Sequence, residues 1–371
     1  MRIGLYGSSS NLGGTEVYMI NMVKEMQHEI IFDYIVGHDC KHIPFEDEIL
    51  SLGGKIFREY YFRRERHLKG YISPRELIDR HPEWDGIYIN VQRIHTAYSL
   101  LVEAKRKNFK YRIIHAHSNN YSSPSTLKDK MYEFYFHTTK KKCVTDYLAC
   151  SEMAGKWMFH NSRPIIVVPN AIDFSRFALN EVIRNKIRRQ YDFESNEIVI
   201  GFCGRIDHPK NVLFLIKIFK VMSENPTYKL LIVGNGNEMG AVQSKIRQYN
   251  LADRVVCTGE VSNTYDYYQA MDCFVLPSRY EGFGIVLLEA QAAGLRCYTT
   301  ANVVPAETNV TGRVTFIPAE ASPLEWATAI EKNGFDRISC LDVMEKSAYS
   351  LSNLKKTLYG IFDLNYKEEV K

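Results

Sequence analysis

The chain has 371 residues, 45% of them apolar and 24% charged, with a formal net charge of +4. That apolar content supports packed cores, in about two domains for this length, and excludes global disorder and a histone-like basic protein. No apolar run reaches the ~20 residues of a membrane-spanning helix, no signal-peptide pattern opens the chain, and the eight cysteines form no Cys-x-x-Cys pair. The expectation is a protein that is neither membrane-integral nor a disulfide scaffold, with buried free thiols in a reducing compartment. The charge divides unevenly, +5 over residues 1–170 and −1 over residues 171–371.

Strand and helix patterns alternate, which predicts parallel sheets covered by helices. Arg2–Tyr6 is a short apolar strand. A Ser/Gly-rich loop follows to Gly14, and Thr15–Met26 then has helical spacing through Val17, Ile20, Val23 and Met26. Further strands are expected at Glu29–Val36, Ile87–Asn90, Tyr111–Ala116, Tyr147–Cys150 and Ile165–Pro169, with a helix at Ala97–Lys107. Pro169-Asn170-Ala171-Ile172-Asp173 reads as a boundary, because Pro ends a strand and Asn and Asp favour turns. A second series then begins. Its strands are Glu197–Cys203, Lys229–Val233, Val255–Thr258, Cys273–Pro277 and Cys297–Thr300. Its helices are Asn211–Ser223, Glu238–Tyr249, Tyr265–Ala270 and Ile285–Ala293, and Leu324–Leu364 is mostly helical. The domains are therefore expected at 1–170 and 171–350.

Candidate sites fall at strand–loop–helix corners, where open α/β sheets bind ligands. Gly13-Gly14 lets backbone amides approach an anion at a helix N-terminus, with a tight turn as the bland alternative. The spacing fails the Gly-x-Gly-x-x-Gly dinucleotide pattern. His115-Ala116-His117 ends a strand before the polar loop containing Asn119. One histidine of the pair is expected to face the ligand and the other to be structural, and no third ligand with metal spacing is evident. Lys55–Arg75 interleaves Arg58, Arg63, Arg64, Arg66 and Lys69 with Phe57, Tyr60, Tyr61, Phe62 and Tyr71, and Lys140-Lys141-Lys142 follows. Such a mixture suits an anionic membrane surface or a nucleic acid, or is simply a solvated loop.

In the second half, Gly204-Arg205 and Lys210-Asn211 flank a loop that can bring two cations to one diphosphate. Gly234-Asn235-Gly236 is another strand–Gly–helix corner. The sharpest feature is Glu281-Gly282-Phe283-Gly284-Ile285 with Glu289 in the helix that follows. Accessible amides beside Glu281 suit a phosphate or sugar, and a carboxylate among apolar neighbours needs partners such as a ribose diol. A helix-capping role for Glu281 is the alternative.

The set Gly13-Gly14-x-Glu16, His115-x-His117, Asn170-x-Ile172-Asp173, Gly204-Arg205…Lys210-Asn211 and Glu281-x7-Glu289 resembles the retaining glycosyltransferases of family 4. The last segments look similar to bacterial exopolysaccharide or capsule enzymes. The resemblance implies a GT-B fold, an α/β arrangement of two Rossmann-like domains with parallel sheets facing a central cleft. It implies a helix at about 351–371 that packs back on the first domain. The implied reaction moves a hexosyl unit from a nucleotide sugar, UDP-linked by preference, to a lipid-linked oligosaccharide.

By the same resemblance, Arg205 and Lys210 contact the donor diphosphate and Glu289 the ribose. Glu281 meets the transferred sugar with the Phe283, Gly284 and Ile285 backbone. Gly14 and Gly234 complete the donor set, and Gly13, Glu16, His115 and Asn119 form the acceptor set. The catalytic group is His117, Glu281, Arg205 and Lys210. No Asp-x-Asp occurs, so neither a divalent metal nor another cofactor is expected. The expected location is the cytoplasmic face of a membrane, held peripherally, with no nucleic-acid partner. Arg296 stands where the family usually has Pro. A nucleotide-sugar 2-epimerase and a non-catalytic nucleotide-sugar-binding scaffold are the alternatives.

Overall fold

The computed structural model describes residues 1–366 except 11–12, 38–39, 61–71, 92–93, 95–97, 118–130, 132–133, 137, 139–140 and 161–163. The chain forms two compact units: residues 1–172 with 351–371, and residues 173–350. In the first, the elements are β1 (Arg2–Tyr6), α1 (Gly14–Glu25), β2 (Ile31–Gly37), α2 (Glu46–Ser51), β3 (Ile56–Tyr60) and α3 (Pro74–Arg80). They continue with β4 (Gly86–Val91), α4 (Tyr98–Arg106), β5 (Tyr111–Ala116), β6 (Asp146–Ala149), α5 (Glu152–Phe159) and β7 (Ile166–Val167). The sheet order is β3-β2-β1-β4-β5-β6-β7, and each pair is parallel.

The second unit contains α6 (Glu181–Gln190), β8 (Ile198–Cys203), α7 (Val212–Met222), β9 (Tyr228–Val233), α8 (Met239–Gln248), β10 (Val255–Cys257) and α9 (Thr264–Ala270). It continues through β11 (Cys273–Leu276), α10 (Ile285–Ala292), β12 (Arg296–Thr300), β13 (Val314–Ile317), α11 (Pro323–Asn333) and α12 (Leu341–Glu345). Its sheet order is β10-β9-β8-β11-β12-β13, again parallel throughout.

Parallel strands covered on both faces need continuous apolar runs. β4 is buried along its whole length. Ile87, Ile89 and Val91 face one core and Tyr88 the other. Several helices start with sequence-encoded caps. Ser73, Ser151 and Asn180 accept from backbone amides at the starts of α3, α5 and α6. Ser322 and Glu325 form a reciprocal capping box on α11, with Pro323 in the first turn. By contrast, α1 and α10 begin at Gly13 and Gly284, and no side chain caps their amides.

The last helix, α13 (Leu351–Ile361), returns to the first unit. Leu354, Leu358 and Ile361 join its core, the Tyr111 hydroxyl donates to the Phe362 carbonyl at 2.8 Å, and Phe362 meets Phe32 edge-on. The terminal region is three helices rather than one run, because Gly334 and the turn at Ser347–Ser350 interrupt it.

Part of the basic-aromatic stretch is structural. Residues 56–60 form β3 beside β2, Phe57 packs on His81 and Trp84, and Arg58 pairs with Glu46 at 2.5 Å. Arg63, Arg64, Arg66 and Lys69, like Tyr61, Phe62, Tyr71 and Lys140, lie outside the described residues. All eight cysteines are free thiols, six buried and Cys40 and Cys257 partly exposed. Among the described residues, no helix is long and apolar enough to cross a membrane.

Candidate functional site

In the first unit the site residues gather where β1, β4 and β5 end. Gly7 leaves β1 with φ +116°, and a Cβ there would fall 2.4 Å from the Asn90 carbonyl, so only glycine fits. The loop turns back to Gly13 and Gly14. Glu16 in the first turn of α1 accepts from the Ser9 amide at 3.0 Å and the Ser9 hydroxyl at 2.7 Å. Nearly buried and bonded to Ser9 through Oε1, Glu16 clamps the loop.

His115 and His117 lie on the same side of their strand, as a two-residue spacing requires, with ring centroids 4.0 Å apart. Their expected division into one ligand-facing and one structural histidine is therefore not one of opposite faces but of depth. His115 has no exposed surface, and its Nδ1 meets the Tyr88 hydroxyl at 2.8 Å, which in turn meets the Tyr18 hydroxyl at 2.8 Å. Burial, reinforced by His117 beside it, holds its pKa well below the ordinary histidine value. A side chain with no surface cannot touch an acceptor, so His115 leaves the acceptor set. Asn119 lies outside the described residues.

His117 reaches the surface. Its Nε2 is 2.7 Å from Asn90 Oδ1 and its Nδ1 is 3.2 Å from the Asn170 side-chain amide. Asn90 donates its Nδ2 to the Tyr6 carbonyl at 3.2 Å, which leaves Oδ1 as acceptor and places the imidazole proton on Nε2. Burial lowers the His117 pKa to about 4, against the opposing pull of Asn170. The ring is thus neutral above that pH. Its Nδ1 faces Asn170 Oδ1, which favours a proton on that nitrogen and so opposes the effect of burial. Asn90 and Asn170 are both buried, and Asn90 is a functional candidate that sequence reasoning missed. Asn170 stood in the boundary and in the family motif, but without a role beside His117.

In the second unit the loops after β8, β9 and β10 are laced together. The Gly204 amide donates to Val233, Gly234 to Gly259, and Ile206 to Asn235. Gly234 has φ +126°, and a Cβ there would sit 2.0 Å from the Gly204 carbonyl oxygen. Its amide is committed to Gly259, and the close approach of the Gly204 carbonyl makes glycine a steric requirement at this corner of the expected donor set. Arg205 is 80% exposed, 3.5 Å from Asp207. Lys210 ends a short 3₁₀ turn and ion-pairs with Glu281 at 2.5 Å, with Ser278 Oγ 3.3 Å from the same carboxylate oxygen. Two straps hold this juxtaposition. The Arg279 amide donates to the Pro209 carbonyl at 2.8 Å, and Asn211 Nδ2 donates to the Pro277 carbonyl at 3.1 Å.

Phe283 is buried against Tyr349, its ring 5.0 Å away, while Gly282 is exposed and Gly284 starts α10 with φ +85°. The uncapped first turn of α10, beginning at Ile285, therefore lies beside the Lys210–Glu281 pair, a combination of amides and charge that suits a phosphate. Glu289, one turn on, is deeply set but keeps part of its surface exposed. Tyr268 donates its hydroxyl to Glu289 at 2.7 Å. Burial pushes the Glu289 pKa up, offset by Tyr268 and by the charge of Arg176, whose guanidinium lies 4.4 Å over the Tyr265 ring. Tyr268 and Arg176 were not singled out in the sequence, since both reach Glu289 only through folding. Arg296 pairs with Asp336 at 2.5 Å, and Arg313 also binds Asp336, so the residue that departs from the family pattern anchors the start of β12. Among the described residues, no group of three or more His, Cys, Asp or Glu is placed to hold a metal ion.

Two parallel Rossmann-like units with glycine-cornered, phosphate-suited loops define the GT-B fold of glycosyltransferases. Anabaena Alr3699/HepE, solved in complex with UDP, shares this fold with TM-score 0.77, covering 98% of this chain and all of that one at 18% identity. Residues 183–346 match the family of glycosyl transferases group 1, and the second unit thus carries a domain of that family. The chain is also similar to EpsF of Bacillus subtilis (strain 168), 26% identical over 88% of this chain and 85% of that protein. It is similar to the UDP-Gal:alpha-D-GlcNAc-diphosphoundecaprenol alpha-1,3-galactosyltransferase of Escherichia coli as well. That match is 28% identical over 52% of this chain and 58% of that protein.

Proposed function

We propose that this protein is a retaining, family 4 hexosyltransferase. It takes a hexosyl unit from a UDP-sugar and adds it to a lipid-linked oligosaccharide in exopolysaccharide or capsule synthesis. The observation that carries this is the convergence of Lys210, Glu281, Glu289 and the uncapped start of α10 on one edge of the second sheet. The group 1 domain covers these residues. A UDP-sugar donor and a lipid-diphosphate acceptor are supported by the name of the Escherichia coli relative, and UDP by the HepE complex.

In the proposed reaction the bond between the sugar C1 and the diphosphate oxygen breaks. The acceptor oxygen bonds to C1 on the same face, and its proton passes to the leaving phosphate. Lys210, released from Glu281 by the incoming diphosphate, meets the negative charge that develops there, joined by Arg205 and the amides of Gly284 and Ile285. Glu281 then turns to the hydroxyls of the transferred sugar, and Glu289 receives the ribose diol. The first unit, through Gly13, Gly14 and the neutral His117, binds the acceptor side and the reacting face of the sugar. No divalent metal takes part in this scheme.

A donor screen by nucleotide-diphosphate release, with mass spectrometry of the glycolipid product, tests the proposal. UDP release that depends on a lipid-linked acceptor is expected, and release with no acceptor dependence would refute the transfer. Peripheral attachment to a cytoplasmic membrane face is part of the proposal. Changing Arg63, Arg64 and Arg66 together to Ser should weaken co-sedimentation with anionic vesicles, and unchanged binding removes that part.

A further inference from the structure

Helices α7 and α8 carry no acidic residue between them; α7 has Lys217 and Lys220, and α8 has Lys245 and Arg247. They border a cavity of about 480 Å³, lined by Leu213, Phe214 and Lys217 from α7 and by Ala241 and Lys245 from α8, with Arg279 from the loop after β11. No carboxylate lines it. Among the described residues Lys245 meets only neutral partners, Gln248 at 3.0 Å and the Tyr249 ring at 4.8 Å. Neither Lys217 nor Arg279 has a carboxylate partner among the described residues. Lys217 and Arg279 are exposed and Lys245 is half-buried, so three cations surround one open cavity that an anion can reach.

We propose that this cavity binds an organic phosphate, a phosphate group carried on an apolar body. Lys217, Lys245 and Arg279 supply positive charge and hydrogen-bond donors of the kinds that hold a phosphate monoester. Leu213, Phe214 and Ala241 supply the apolar wall that inorganic phosphate alone would leave uncovered, and the volume lies in the range of small-ligand pockets. The cavity uses none of the residues assigned to the donor. It is nevertheless tied to them, because the Arg279 amide is bonded to Pro209 and Asn211, at the cavity edge, to Pro277. Binding that orders Arg279 therefore steadies the two straps that hold Lys210 beside Glu281. This coupling, unlike the binding itself, depends on the donor-site proposal above.

The full-length protein is titrated with phenyl phosphate by calorimetry. In a second arm it is co-sedimented with phosphatidylcholine vesicles with and without phosphatidic acid, which separates a soluble phosphate ester from a lipid headgroup. Saturable binding in at least one arm is expected. It should weaken about tenfold or more in the double variant Lys217→Gln/Lys245→Gln and stay within about twofold in Lys210→Ala. Should the double variant melt early, Arg279→Gln on its exposed loop serves instead, with about threefold weaker binding expected. Absence of binding in both arms, binding that survives these substitutions, or binding lost with Lys210→Ala overturns the site. If sugar transfer fails in every assay while binding still depends on Lys217 and Lys245, the donor-site proposal falls and the phosphate site stands.

Discussion

The two units place their chemistry at the same edge of the same kind of sheet, yet with opposite electrostatics. At the ends of β4 and β5 the cluster is neutral: Tyr18, Tyr88, His115, His117, Asn90 and Asn170 are linked by hydrogen bonds, and burial keeps both imidazoles uncharged. Around β8 and β11 the cluster is charged, with Lys210 closed onto Glu281, and Glu289 set deep against one phenol. A neutral hydrogen-bonded cluster of this kind holds a shape and brings no charge of its own to a ligand, although His115 Nε2 within it is buried without a partner among the described residues. A closed ion pair beside uncapped helix amides exchanges one partner for another when an anion arrives. In the proposed reaction this contrast corresponds to positioning by the first cluster and charge stabilisation by the second.

The largest effect expected follows from that contrast. Lys210→Ala should lower kcat by about 10²-fold or more, whereas Asn90→Ala, which removes the acceptor of the His117 Nε2 proton, should cost about tenfold and move the acid limb of the pH–rate profile downward, because that acceptor favours the imidazolium. Near-wild-type turnover in Lys210→Ala breaks the comparison. Next is the pH dependence of stability. The folded-state pKa of His117, about 4, lies below the unfolded value, so the unfolded chain binds the proton first as pH falls. Stability is therefore full above about pH 6.5 and declines toward pH 4, by at most about 3 kcal/mol from this residue. Urea unfolding across that range measures it, and His117→Gln should flatten the slope.

Gly234→Ala, with its Cβ 2.0 Å from the Gly204 carbonyl oxygen at φ +126°, should destabilise the second unit by about 2 kcal/mol in the same measurement. Glu289→Gln has two signs. The donor KM should rise about tenfold as a ribose contact weakens. The melting temperature at neutral pH should also rise, because ionising a carboxylate whose pKa is raised costs the folded state. That gain should vanish as pH falls through the ordinary carboxylate range, where both states are protonated. The smallest change is Gly282→Ala, whose Cβ meets nothing within 4 Å, so stability should stay within about 0.5 kcal/mol.

Most strands were legible because buried parallel strands need unbroken apolar runs, as in β8 and β9. β3 was hidden inside a charged, aromatic stretch, and its strand character comes from pairing with β2. β13 is a short Val-Thr-Phe-Ile run whose register with β12 is set across the sheet. Helix α6, with mostly polar residues, is held by Arg184 and Arg188 on the buried Asp272, partners that lie far along the chain. The charged site was visible as a motif, since Glu281, Glu289 and the glycines between them are close in sequence. The neutral site was half visible. The His pair stood out, but the two asparagines that orient His117 come from other segments.

Local physics, read along the chain, dictates the alternation of strands and helices, the glycine corners and the residue types at each strand end, because periodicity and turn chemistry act over a few residues. Which groups lose their charge and which find a partner is a matter of burial and of contacts between distant segments. Lys210 and Glu281 are 71 positions apart, and Tyr268 and Glu289 are 21. The sheet orders that place β11 beside β8 and β5 beside β4 bring such residues together. The same folding buries His115 fully and leaves His117, just past the end of β5, partly exposed, although the two look alike in the sequence.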